Sequence, residues 1–136
     1  MTLATEAFTR IGVALALTLA VEVPIGAALG LRSRNALVAV VMVNVATNPA
    51  LNYLYLAAAG IGLLRPLSSW AMGALFVAAE GLVVIVEWRL LLWALGGRSP
   101  RMLAISAAMN VASAGLGLVL APVVAHILRG AGPLAL

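Results

Sequence analysis

The residues with chemistry to offer are few, and they sit deep inside apolar runs. Glu22, Asn44, Glu87 and Asn110 are the principal ones, with Thr47 and Asn48 following Asn44, and Ser113 following Asn110. A carboxyl group accepts hydrogen bonds, exchanges a proton and ligates hard cations. An asparagine amide donates to a carboxylate and offers its oxygen to a cation, and a hydroxyl does either. Within hydrocarbon a carboxylate costs about 2.5–3.5 kcal/mol on insertion scales. Such side chains are expected to turn inward and meet, the carboxylates accepting from the amides or each carboxyl held as a neutral acid. The functional reading is a substrate- or ion-binding layer or a proton relay. The competing reading is interhelical adhesion, worth under about 1 kcal/mol per contact. Asparagine alone would serve for adhesion, so the two glutamates favour a site.

Spacing places these residues at one level. Glu22 lies ten residues before Arg32 and Glu87 eleven before Arg98; Asn44 lies ten after Arg34 and Asn110 nine after Arg101. At about 1.5 Å per residue, each is roughly 14–17 Å from its arginine, near the middle of a hydrocarbon layer about 30 Å thick.

The elements that must hold them are helices. Of the 136 residues, 65% are hydrophobic and 9% charged, against about one-quarter charged in an ordinary soluble domain. Four apolar runs, over about 11–31, 35–64, 70–95 and 102–128, are each long enough to cross a bilayer. They lack the apolar–polar alternation of membrane barrel strands, and inside lipid that leaves the helix to satisfy the backbone. Residues 1–10 read as a polar lead. Arg10 and the apolar residues after it have the look of a secretion signal, but Glu22 interrupts the run, so it is read as the first span. Arg32-Ser33-Arg34 and Gly96-Gly97-Arg98-Ser99-Pro100-Arg101 read as tight loops, and Ser68-Ser69 as a cap for the third helix. The expected fold is an all-α integral membrane protein, one membrane domain over 1–136.

The two halves resemble one another. Leu29-Gly30-Leu31-Arg32-Ser33 parallels Leu95-Gly96-Gly97-Arg98-Ser99, and Asn44-Val45-Ala46-Thr47 parallels Asn110-Val111-Ala112-Ser113. Val21-Glu22 parallels Val86-Glu87 with one residue inserted. Matches at rare polar residues weigh more than matches at Ala, Leu or Val. They predict a duplicated helical hairpin, one copy about 11–64 and the other about 70–128, the copies related by an axis along the membrane normal.

Asn48-Pro49 could start a half-helix inside the membrane, since Asn is a strong N-cap and Pro favours the first helical position. Gly115 stands at the matching place, and paired breakers mark transporter-type sites. An ordinary proline kink is the alternative, and then Asn44, Asn48 and Asn52 share one face. Asn48-Pro49-Ala50 also spells the water-channel tripeptide, but that family has six spans and two such tripeptides, and the second copy here reads Ala114-Gly115-Leu116.

Arg89, within the third run, is a charge partner for a glutamate or else reaches toward the loop of Arg98. Glu80, two turns before Glu87, extends a polar path or approaches the membrane surface. His126 reads as interfacial. Gly26-x-x-x-Gly30 and Ala57-Ala58-Ala59-Gly60 permit close helix contact.

The absence of Cys excludes disulfides, thiolate catalysis and cysteine-held metals. The net charge of +4 comes from scattered arginines with no basic stripe, which excludes nucleic acid. No nucleophile elbow, phosphate loop or zinc helix is present, so enzymatic activity is not expected and no cofactor is implied. A hard cation could take oxygens from Glu22, Glu87, Asn44 and Asn110, though no metal is specified. A duplicated hairpin with buried carboxylates resembles proteolipid rotor subunits in plan. There the carboxylate is on the second helix of the hairpin and glycines line the first, whereas Glu22 and Glu87 are on first helices.

Two functions remain: a small transporter or channel handling protons or a cation at the Glu/Asn layer, or a non-catalytic assembly subunit of a membrane complex. Four helices are few to enclose a path, so a homo-oligomer or partner membrane subunits are expected. The expected location is a membrane crossed several times, read as a bacterial inner membrane. Arginines near both ends of the spans almost balance, which leans only slightly toward cytoplasmic hairpin loops.

Overall fold

The computed structural model describes residues 3–130 as four helices and short connections. They are α1 (Leu3–Ala28), α2 (Arg34–Gly60), α3 (Ser69–Leu95) and α4 (Ser99–Gly130). Each contains a stretch long and apolar enough to cross a membrane: Ala7–Ala28, Arg34–Gly60, Ser69–Leu95 and Ser99–Leu120. The helices sit at the corners of a square, with α1 beside α2 and α4, and α3 beside α2 and α4.

Local chemistry sets the ends. Ser33 caps α2 by accepting from the Ala36 amide at 3.1 Å, and Ser68 caps α3 by accepting from Ala71 at 3.2 Å. α1 closes in a left-handed turn at Gly30 (φ 108°), where Leu31 N–H reaches Gly26 C=O at 2.9 Å and Gly30 N–H reaches Ala27 C=O at 3.2 Å. α2 closes the same way at Gly62 (φ 76°), with Leu63 bonded to Ala58 and Gly62 to Ala59.

The lead over 1–10 is helical from Leu3 onward, and Thr5-Glu6-Ala7-Phe8 contains no residue that breaks a helix. Two expectations are corrected. α2 stops at Gly60 rather than at 64, since Gly62 supplies the left-handed turn that ends it. Most important, α2 runs unbroken through Pro49, and α4 through Gly115, so there is no half-helix at Asn48-Pro49. A membrane-type helix tolerates the single lost N–H when neighbouring helices support it. The consequence is the other geometry, with Asn44, Asn48 and Asn52 on one face.

The packed core lies in the half of the bundle nearest the short loops. Leu31, Ala36, Val40, Val43, Leu91, Met102, Ile105 and Met109 are buried there. Gly26 lets α1 approach α4: a Cβ there would stand 3.1 Å from the Met109 sulfur. Arg101 donates to the Leu29 carbonyl at 3.3 Å, placing a cation at the carbonyl end of α1. Gly60, expected to permit close contact, has nothing within 4 Å of a Cβ position.

Candidate functional site

Above this core the four helices present a polar layer. Glu22, on α1, is fully buried; Asn44 donates to its Oε2 at 2.9 Å from α2, and Ser113 donates to its Oε1 at 2.6 Å from α4. Glu87, on α3, is 1% exposed; Asn110 donates to its Oε2 from α4, and Thr47 donates to its Oε1 at 2.7 Å from α2. Each carboxyl thus takes an amide from its own hairpin and a hydroxyl from the other. The pattern of partners is the same in both halves, down to the second bond of each amide: Asn44 to the Val40 carbonyl at 3.1 Å, and Asn110 to the Ser106 carbonyl at 3.0 Å.

The hydroxyls are in a special position. Thr47 Oγ1 is 2.7 Å from Glu87 and 3.0 Å from the Val43 carbonyl. Ser113 Oγ is 2.6 Å from Glu22 and 3.1 Å from the Asn110 carbonyl. A hydroxyl has one proton to donate, so only one of the two acceptors is served at a time.

The layer forms the floor of a cavity of about 380 Å³ that extends away from the short loops as far as the exposed Arg10. Its walls are largely apolar, among them Leu17, Leu51, Phe76 and Val83. Asn48 borders it and donates to Thr18 at 2.9 Å, while Asn52 donates to the Asn48 side chain at 3.1 Å. Glu80 borders it too, on the same side of α3 as Glu87.

Of the residues singled out from the sequence, Glu22, Asn44, Thr47, Glu87, Asn110 and Ser113 are joined in one network. Asn48 and Glu80 belong to the wall above it. Arg89 does not join: it is exposed on α3, its guanidinium carbon 4.5 Å from the centre of the Trp88 ring, and it makes no ion pair among the described residues. The glutamates take neutral donors instead. His126 is exposed and away from the layer. Both asparagines turn their amide nitrogens to the carboxylates, and no group of three His, Cys, Asp or Glu gathers among the described residues. Sequence reasoning missed Thr18 and Arg10. Thr18 stands one turn before Glu22 and was detectable by that spacing; Arg10 was counted only as a charge outside the apolar run.

No protein-family model, curated protein or solved structure matches this chain.

Proposed function

We propose that the chain is a multi-pass membrane protein that moves protons, or a cation in exchange for them, through the Glu22–Glu87 layer. The observation that carries this reading is the double role open to each hydroxyl. With Glu22 ionised, Ser113 donates its proton to the carboxylate. With Glu22 protonated, the carboxyl O–H donates to the Ser113 oxygen, and the Ser113 proton turns to the Asn110 carbonyl. Thr47 serves Glu87 in the same way, with the Val43 carbonyl as the second acceptor. Both protonation states therefore leave the hydroxyl paired, so a proton comes and goes without stranding a buried polar group. The cavity gives this chemistry a route to one end of the bundle. The matching partners in the two halves support an ancestral duplication of the hairpin, with the same orientation in both copies.

The test is dissipation of an imposed pH gradient in proteoliposomes, read with an internal pH dye. Glu22→Gln and Glu87→Gln keep shape and one hydrogen-bonding oxygen but cannot ionise. Each is expected to abolish flux while the helical content and the detergent-solubilised mass stay as in the parent. Unchanged flux in both variants would remove the transport reading. The second reading, an assembly subunit whose polar layer fixes helix register, is favoured by the closure of the carboxylate bonds within one chain. It predicts that both variants are harmless or stabilising, since a buried charge is gone, and that a discrete partner copurifies.

A further inference from the structure

We infer that the cavity above the carboxyl layer is a binding site for a protonated amine carrying an apolar body. The inference rests on the proton- or cation-handling reading of the same layer and names the substrate class.

Three features define the ligand. The first is charge. Glu22, Glu80 and Glu87 all border the cavity, against one guanidinium, that of Arg10, at its far end. Glu80 makes no hydrogen bond or ion pair among the described residues, although it is half-buried. Arg89 faces outward over Trp88 and does not compensate it.

The second is hydrogen-bonding capacity. Asn44 is 1% exposed, and its Oδ1 is a buried acceptor with no partner. The amide cannot be turned to relieve this, because its nitrogen already faces two acceptors, the Glu22 carboxylate and the Val40 carbonyl. An unpaired buried acceptor beside carboxylates calls for a donor. A ligand with N–H groups supplies that donor, and a quaternary ammonium does not.

The third is the wall. Leu17, Leu51, Phe76 and Val83 face a volume of about 380 Å³, within the ordinary range for small-molecule sites. An ammonium at the floor and hydrocarbon against these side chains satisfies all three features. Such a cation competes with protons for the same carboxyls, which would couple its movement to a pH gradient.

The experiment uses the full chain in lipid nanodiscs and isothermal calorimetry with three probes of similar shape: 4-phenylbutylamine, its N,N,N-trimethyl analogue and 4-phenylbutanol. Saturable binding of the amine is expected, with the alcohol and the trimethyl compound about tenfold weaker or more, the scale of losing a charge-assisted hydrogen bond. Glu80→Gln should weaken the amine by a similar factor and leave the alcohol unchanged. The measured heat should vary with the ionisation enthalpy of the buffer, as protons leave the carboxyls. Equal affinity for amine and alcohol would overturn the inference and mark the cavity as a slot for lipid chains. No saturable binding of the amine to the parent protein would also overturn it. In either case glutamate-dependent proton flux measured without any amine would leave the proposed function standing, so the two failures are separable.

Discussion

Glu22 and Glu87 are each held by two unlike partners, an amide and a hydroxyl, and the difference between these makes predictions about single side chains. Asn44 and Asn110 add position: each spans two helices by bonding a carboxylate and its own preceding turn. Asn110→Leu should destabilise the bundle by about 0.6–1.7 kcal/mol, between the average and the maximum measured for interhelical bonds in lipid, in a denaturant titration of the detergent-solubilised protein. Ser113→Ala and Thr47→Val are predicted to act elsewhere. Each removes a hydrogen bond from both states of its carboxyl, but the bond to the ionised form is worth about 1.5–3 kcal/mol and that to the neutral acid about 0.5–1.5 kcal/mol, so beyond any loss of stability proton flux should slow by roughly tenfold. A stability loss with unchanged flux would assign the hydroxyls to adhesion. At this scale the sequence was informative because the residues are rare. An Asn in an apolar run stands out, and the i+3 hydroxyl stands out with it. The direction of each hydroxyl, across to the other hairpin, was not legible, since spacing along one helix does not say which neighbour it faces.

Helix ends and helix interiors respond differently to the same substitution. Gly30 has φ 108°, and a Cβ there would collide with the Arg101 guanidinium. Gly30→Ala should therefore cost about 1–2 kcal/mol in backbone conformation alone, and more if Arg101 is driven from the Leu29 carbonyl. Gly73→Ala, inside α3 with nothing within 4 Å of a Cβ position, should be neutral or stabilising by about 0.5–1 kcal/mol. Thermal unfolding of the two variants side by side checks the contrast. The ends of the short loops were legible, because Gly, Ser and Arg cluster there. The fate of Asn48-Pro49 was not. The same two residues are good starters of a helix and tolerable guests within one. Packing decided between these, with Thr18 on α1 holding Asn48 at 2.9 Å. Pro49→Ala is accordingly expected to leave the polar layer in place and proton flux unchanged; a lost flux would restore a mechanical role to the proline.

Across the whole molecule, each hairpin completes the other's carboxyl. The cross-bonds run from Thr47 to Glu87 and from Ser113 to Glu22, and Arg101 adds a third link to Leu29. A chain cut within 61–68 should therefore reassemble: the two hairpins, expressed together with a tag on one, are expected to copurify. Glu22→Leu combined with Glu87→Leu should reduce the recovery of the untagged half. The square arrangement was only partly legible. Composition demanded four helices, short loops demanded neighbours, and Gly26-x-x-x-Gly30 marked a place of close contact, but that the contact is with Met109 on α4 was not legible, since spacing along α1 does not say which helix it meets. Along the cavity, the likeness between the halves lies at its floor. Higher up, Asn48, Asn52 and Thr18 stand on one side and Glu80 on the other, with no matching partners, so the pattern of bonds shared by the two halves does not extend up the cavity wall.

The core nearest the short loops is tightly filled, and the cavity lies wholly on its far side. The two ends of the molecule are thus chemically unequal to anything dissolved in water. If the chain spans a bilayer as proposed, a carboxyl-modifying reagent that cannot cross lipid should reach Glu80 in the cavity from one compartment and meet closely packed Leu, Val and Met from the other. In vesicles where insertion is random, such a reagent added outside should silence about half of the population and spare the rest until the lipid is breached.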